Sequence, residues 1–342
     1  MKSILKISYI IFLMILVFKN MNVYAENDAG TRASYTRGGW AGARYVAMGK
    51  AAEVVVDDVY SIYWNPAGLR ELLQKGALTS EEIKGRAASG NIDSISEKDL
   101  VKFSEDEYPK TFVQIGVSSA VLDADREAGF AGIAFNVFKG VMGIGYYGIQ
   151  SRNIESRDES GNYIKDINYT GSVGYLSYGW GTGVASLGFS LKGLYETIGE
   201  TRYYGCGADI GTQIELIPLV KMGFVIQDIG TGLKPVKNYD DTKNEYSFAY
   251  PTVKIGASVT NRASDMIIAI TGIKKLEQER FEANLGFQYN ILKNASVYLG
   301  LNDSLFSSGF SLRFANMNIT YAFSFDKIDF GYNNTLSLTL LI

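Results

Sequence analysis

Residues 281–291 read FEANLGFQYNI, and this stretch decides the fold. Phe281, Ala283, Leu285, Phe287, Tyr289 and Ile291 fall on one side of an extended chain. Glu282, Asn284, Gly286, Gln288 and Asn290 fall on the other, because successive side chains of a strand point to opposite faces. The same alternation lies on either side of it. Within residues 184–195, Leu187, Phe189, Leu191 and Tyr195 oppose Ser186, Gly188, Ser190 and Lys192. Within residues 317–325, Ile319, Tyr321 and Phe323 oppose Asn318, Thr320 and Ser324, and the chain ends on Leu336, Leu338, Leu340 and Ile342 set against Ser337, Thr339 and Leu341. An apolar face backed by Gly, Ser, Asn, Gln and an occasional charge fits a lipid-facing barrel wall around a polar interior. A soluble sandwich alternates in the same way, so loop lengths have to separate the two.

From Lys110 onward the period of two defines fourteen segments, at 110–122, 128–138, 141–150, 168–180, 183–196, 203–216, 220–228, 250–261, 265–273, 280–291, 295–302, 306–314, 317–325 and 331–342. Connections after the even segments are short, such as Gly181-Thr182 and Leu292-Lys293-Asn294. Those after the odd segments run longer, and two, residues 151–167 and 229–249, are long and polar. Short periplasmic turns, longer outer loops and an even strand number are the signature of a transmembrane barrel with both ends of its wall in the periplasm. The expectation is therefore an all-β, fourteen-stranded antiparallel barrel. Aromatics near segment ends, Tyr146, Tyr147, Tyr178, Trp180, Tyr203, Tyr204, Tyr289 and Tyr332, are candidates for interfacial girdles.

Composition agrees with an exported wall. The 342 residues are 46% hydrophobic and 20% charged, with 37 Gly, 23 Tyr and 18 Phe against 5 Pro. Lys2 and Lys6 precede an apolar run at 7–18, and Val23-Tyr24-Ala25 makes a small-residue cleavage site before Glu26. Residues 1–25 thus read as a secretory signal, too short to span. No cysteine lies near the cut to carry a lipid anchor, and no later apolar run is long enough for a transmembrane helix. The formal charge is −3, and loss of Lys2, Lys6 and Lys19 with the signal makes the remainder more acidic, which does not favour a nucleic-acid partner. The sole cysteine, Cys206, has no partner for an internal disulfide and is expected as a small, partly buried residue.

Between signal and wall, residues 26–109 are expected to hold a polar lead-in, a lumenal plug and short helices. Two capping-box patterns, Thr79-Ser80-Glu81-Glu82 and Ser96-Glu97-Lys98-Asp99, mark short helices there. The plug reads WAGARYVAMGKAAEVVVDDVYSIYWNPAGL, residues 40–69. Asn65 suits a helix N-cap and Pro66 the first helical position, so a short helix is expected over 66–75, stopped by Gly76.

Gly42-Ala43-Arg44, Met48-Gly49, Asp57-Asp58-Val59 and the run YWNPAGL at 63–69 resemble the N-terminal signature of FadL-like outer-membrane proteins, especially the PorV/PorQ branch and its spirochaete relatives. The resemblance covers about thirty residues. It implies a fourteen-stranded barrel closed by an N-terminal helical hatch, with a hydrophobic ligand entering from outside, shifting the hatch and leaving sideways through the wall. Carried over, Asn65, Pro66, Ala67 and Gly68 are hatch residues that gate. The chain departs from the common pattern of outer-membrane barrels by ending in Ile342 instead of an aromatic residue.

Asp57 and Asp58 join the candidate gate because an unpaired charge in an apolar hatch is costly. At least one is expected to pair with Arg44 or with a lumenal base such as Lys192, Lys254 or Arg313; exposure to lumen water is the alternative. Gly143, Gly145 and Gly148 spell G-x-G-x-x-G but lie inside a strand and open no helix, which is the wrong context for a dinucleotide. They mark either a weak point for a lateral opening or room for the hatch. The acidic loop at 240–245 lacks the glycine of a calcium-binding loop and reads as solvated. The chain has no histidine, which removes Ser-His catalysis and most zinc sites. No catalytic residue, metal or cofactor is expected.

The expected function is an outer-membrane porter for long-chain fatty acids or other hydrophobic small molecules. A non-transporting, PorV-like barrel serving secretion or surface proteins is the alternative. The first predicts an apolar pocket beneath the long loops and a gap or kink in the wall near the third strand. The second predicts a sealed wall and a partner surface built by residues 151–167 and 229–249.

Overall fold

The computed structural model describes residues 34–73, 112–182, 184–217, 219–236, 247–261, 263, 265–276, 281–303, 305–326 and 331–342. The signal at 1–25, the first part of the lead-in, the capping boxes at 79–82 and 96–99 and the loop at 240–245 lie outside these residues.

Fourteen strands form the wall: β1 (Val113–Leu122), β2 (Arg126–Val137), β3 (Gly140–Arg157), β4 (Tyr163–Gly181), β5 (Ala185–Ile198), β6 (Thr201–Ile217), β7 (Val220–Pro235), β8 (Thr252–Thr260), β9 (Met266–Lys275), β10 (Phe281–Leu292), β11 (Ala295–Asn302), β12 (Leu305–Phe314), β13 (Met317–Phe325) and β14 (Tyr332–Leu341). Each pairs antiparallel with its sequence neighbour, and Ser247–Phe248 adds two residues beside β7 at Gly232 and Leu233. The last strand closes on the first, with Gln114 opposite Leu341 and Val121 opposite Asn334. Closure leaves no open edge in the wall.

Side-chain parity follows the alternation. Leu191 is 55% exposed and its neighbour Lys192 only 4%, so aliphatic and aromatic groups point out and polar ones point in. Ile115, Val117, Phe189, Leu285, Leu299, Phe310 and Leu336 are among the exposed groups, whereas Gln114, Ser190, Gln213, Asn284, Ser307 and Thr335 are buried. An outer apolar band around a polar interior is what a bilayer selects. Among the described residues no helix is long and apolar enough to cross a membrane; the strands form the wall.

Three expectations need correction. The polar stretch at 151–167 is mostly strand: β3 runs on to Arg157 and β4 starts at Tyr163, joined only by residues 158–162. Ile154 faces Ile167 and Ser156 faces Lys165 there, so the ladder continues past the apolar band with both faces wet and no alternation to reveal it. Part of the other long stretch, at 229–235, likewise belongs to β7. Tyr147 is not a girdle residue, because its parity turns it inward to full burial beside Tyr63, with ring centres 4.9 Å apart. Cys206 is exposed, because it lies on the outward face of β6, three residues from the inward Asp209.

The ladder is regular around most of the wall. Between β6 and β7, however, the register shifts three times, at Cys206/Ala208, Ala208/Ile210 and Glu215/Ile217. Asp228 and Gly230 take positive φ angles of 63° and 61° in the same seam. Such bulges locally weaken pairing and re-aim side chains.

Candidate functional site

Residues 34–73 fill the lumen. A 3₁₀ turn at Ser34–Arg37 leads to α1 (Ala43–Ala47), then α2 (Ser61–Trp64) and a second 3₁₀ turn at Pro66–Arg70. Tyr45, Met48, Ile62, Tyr63, Trp64, Leu69 and Leu72 are almost wholly buried. The helices are too short to be stable alone, so packing against the wall has to hold them. Their sequence signals are local. Gly42, at φ 81°, starts α1, and Asp58 Oδ1 accepts from Tyr60 N at 3.0 Å just before α2.

Asn65 occupies the junction. It ends α2 in an extended conformation and caps the following turn, its Oδ1 accepting from Ala67 N at 3.1 Å, with Pro66 in the first position. The capping role is as expected, but the element is a 3₁₀ turn ending at Arg70, followed by a helical turn at 71–73; the remainder of the expected helix lies outside the described residues. Asn65 Nδ2 also donates to Glu53 O at 2.6 Å and Thr212 O at 3.3 Å. One side chain thus ties together two hatch segments and the wall. Pro66 and Ala67 press on Gly188 of β5, and Gly68 sits against Val56 O and Ser61, so all four residues of the motif are enclosed.

The wall meets the hatch with polar side chains and bare backbone. Gly42 N donates to Ser118 Oγ, Ala43 N to Ser337 Oγ, Gly49 N to Ser307 Oγ and Val59 N to Gln114 Oε1, at 2.7 to 3.2 Å. Gln213 Nε2 donates to Glu53 O and Val56 O, and Gln227 Nε2 to Tyr63 O, each at 3.1 Å. These bonds satisfy hatch amides and carbonyls that no sheet or long helix can. Gly49, at φ 62°, touches wall backbone: a Cβ there would lie 2.6 Å from Leu285 O and Leu301 O. Only glycine allows that approach.

Charges are compensated locally. Arg44 Nη1 pairs with Asp57 at 2.7 Å and Arg44 Nε donates to Gln288 of the wall at 3.1 Å. Of the expected alternatives, Lys254 pairs with Glu53 at 3.0 Å, Lys192 is engaged elsewhere and Arg313 is exposed. Burial, then the charge of Asp58, pushes the Tyr45 phenol well above the usual tyrosine range; burial does the same to Tyr63, which accepts from Gly39 N at 2.7 Å. Both stay neutral.

Gly143 and Gly145 face the lumen, and a Cβ on either would lie 2.6 to 2.8 Å from Ile62. Gly148 faces outward beneath the Tyr146 ring. Around all three, β3 is paired without interruption to β2 and β4 from Gly140 to Ser151, so no opening exists at the third strand in this structure.

One cluster carries no local motif. Lys192 on β5 bridges Asp209 of β6 at 2.6 Å and Asp228 of β7, each side chain at most 2% exposed. Thr36 of the hatch donates to Asp228 Oδ2 at 3.1 Å. The three lie on three strands with no local spacing. Their only signal is that each is charged at a lumen-facing position.

The architecture resembles solved hydrocarbon channels. The toluene transporter TbuX of Ralstonia pickettii superimposes with a TM-score of 0.55 at 10% identity, covering 88% of this chain and 97% of that one. The fold is FadL-like. The Pseudomonas putida toluene transporter TodX gives 0.54 at 10% identity over 88% and 96%, and the monoaromatic hydrocarbon channel CymD gives 0.52 at 12% over the same shares. No protein-family model matches the sequence, and no curated protein does. These neighbours are channels or transporters and not enzymes.

Proposed function

We propose that this FadL-like barrel is a hatch-gated porter that carries hydrophobic small molecules, long-chain fatty acids among them, across the outer membrane. The observation that carries the reading is how the plug is held. Among the described residues no hatch segment joins the sheet; the contacts are side-chain hydrogen bonds, the ion pairs Lys254–Glu53 and Lys221–Glu71, and packing on wall glycines. Displacing the hatch therefore breaks no ladder. Asn65, Pro66, Ala67 and Gly68 form its fulcrum, with Arg44, held by Asp57 and bonded to Gln288 of the wall, as a side tether and Asp58 fixing the turn ahead of α2 through Tyr60 N. The solved neighbours described as toluene transporters and a hydrocarbon channel support the cargo class. For sideways exit, the irregular β6–β7 seam is the place where the wall parts most readily, in preference to the glycines of β3.

A second reading draws on a specific observation. The unbroken ladder at β3 and the β3–β4 hairpin standing beyond the apolar band, with Tyr163 and Ile164 more than half exposed, suit an accessory barrel that docks secretion or surface proteins. Extraction of the detergent-purified chain separates the two. Hydrophobic molecules are expected to copurify with the native protein and to be depleted in an Asn65→Ala, Pro66→Ala variant. Lipid-free preparations of both would favour the accessory.

A further inference from the structure

The outward face of β4 to β7 can be followed by register from one side of the bilayer to the other. Near the short-turn end Trp180 of β4 is opposite Leu187 of β5, and both are exposed. The outward residues of β5 then run Phe189, Leu191, Gly193, Tyr195 and Thr197. Thr197, opposite Arg202 of β6, stands ten residues beyond Leu187. That is about 33 Å along the strand and about 25 Å along the membrane normal at a tilt near 40°. An apolar band is about as thick, so Arg202 emerges at the level of the outer headgroups.

Just below it, Tyr195 and Tyr204 meet on the outer surface with ring centres 5.1 Å apart, as interfacial aromatics do. Lys234 of β7 is opposite Tyr204, and Val236 N donates to Arg202 O at 2.8 Å. Arg202 and Lys234 are therefore diagonal neighbours on adjoining strands, both exposed and close enough for their long side chains to converge.

No acid answers them. On the β2 to β4 side the exposed bases are matched, Arg152 with Glu127, Arg157 with Glu155 and Lys165 with Glu200. Arg202 makes no ion pair among the described residues. The acid nearest to it in sequence, Glu200, is turned to Lys165 at 2.8 Å. The outward positions around it, Tyr195, Thr197, Tyr204, Lys234 and Val236, include no carboxylate. A pair of bases above an aromatic pair at headgroup height is complementary to a lipid phosphate, which an arginine grips through two parallel hydrogen bonds.

We propose that Arg202 and Lys234 hold the phosphate of an outer-leaflet lipid headgroup, with Tyr195 and Tyr204 against the glycerol and upper acyl chains beneath it. The pairing of β6 with β7 first shifts at Cys206/Ala208, four residues below Arg202. One lipid thus bridges the two strands above their irregular seam and sets how readily that seam parts. The site is independent of what crosses the lumen.

The test is native mass spectrometry of the full detergent-solubilised chain titrated with dioleoylphosphatidic acid, with dioleoylglycerol, which lacks the phosphate, and with inorganic phosphate. The unsubstituted chain is expected to bind the phosphatidic acid about tenfold more tightly than an Arg202→Gln, Lys234→Gln variant, a difference of about 1.4 kcal/mol. Dioleoylglycerol is expected to bind both alike. Arg152→Gln, which removes a base from an ion pair at the same end, is expected to leave the phosphatidic acid unchanged. Heat-modifiable mobility reports folding, and if the double variant fails to fold, Arg202→Gln carries the test. Equal phosphatidic acid affinity in the unsubstituted chain and the double variant would overturn the site, as would a parallel loss of dioleoylglycerol. Inorganic phosphate bound as tightly as the lipid would overturn the lipid as its occupant. Each of these results leaves the porter reading standing.

Discussion

Gly211 faces into the lumen directly against the side chain of Asn65, so that a methyl group on Gly211 would overlap Asn65 Oδ1, the atom that caps Ala67 N at 3.1 Å. The wall is shaped to the hatch at single-atom scale. Gly211→Ala has to push Asn65 off its cap, and the expected cost is about 2 kcal/mol, read as a lower temperature for the mobility shift of the folded barrel on gels. Gly193→Ala is the control. Its Cβ would meet nothing within 4 Å, and the midpoint is expected to stay or rise slightly.

Asn65→Ala removes the cap and the donations to Glu53 O and Thr212 O together. A loss of about 2–3 kcal/mol is expected. Asn65→Asp keeps the acceptor but buries a charge against two carbonyls, so it is expected to be no better. Limited proteolysis at the short-turn end, where the chain leaves the hatch, reads the release directly.

Lys192→Met leaves Asp209 and Asp228 buried without their shared cation, and destabilisation of about 3 kcal/mol or more is expected. Replacing all three, Lys192→Met with Asp209→Asn and Asp228→Asn, is expected to recover most of it. Failure of the triple variant to recover in denaturant melts would show that the cluster does more than balance its own charges.

Asp158 at the tip of the β3–β4 hairpin lies outside the apolar band. The Asn162 side chain at 3.0 Å, then backbone amides of Asn162 and Ser160, hold its carboxyl below the ordinary aspartate range. A depressed folded value means that the support is present at neutral pH and fades as pH falls through that value. Asn162→Ala is expected to raise the Asp158 pKa toward the ordinary range, measured by NMR titration of the carboxyl carbon.

The wall was legible wherever its two faces meet different media. Phe281 to Ile291 alternate because lipid lies on one side and the hatch on the other, and the same logic placed Lys192 in the lumen. It failed at Ile154 and Ile164, where water bathes both faces and a strand needs no apolar stripe. In the hatch, Asn65 and Pro66 were readable as a cap because capping is local. The Lys192, Asp209 and Asp228 cluster was not, since its members meet only after three strands pair. Gly143 and Gly145 show the same limit: sequence revealed missing side chains, and only packing revealed that Ile62 fills the space.

Passage of hydrophobic molecules through this hatch is measurable as uptake. Initial uptake of radiolabelled oleate and toluene by cells lacking other uptake barrels, with and without this chain in the outer membrane, tests it most directly. Uptake severalfold above the empty-vector level is expected, with a clear change on Asn65→Ala, Pro66→Ala. Uptake equal to the empty vector from a folded, surface-located barrel would contradict it.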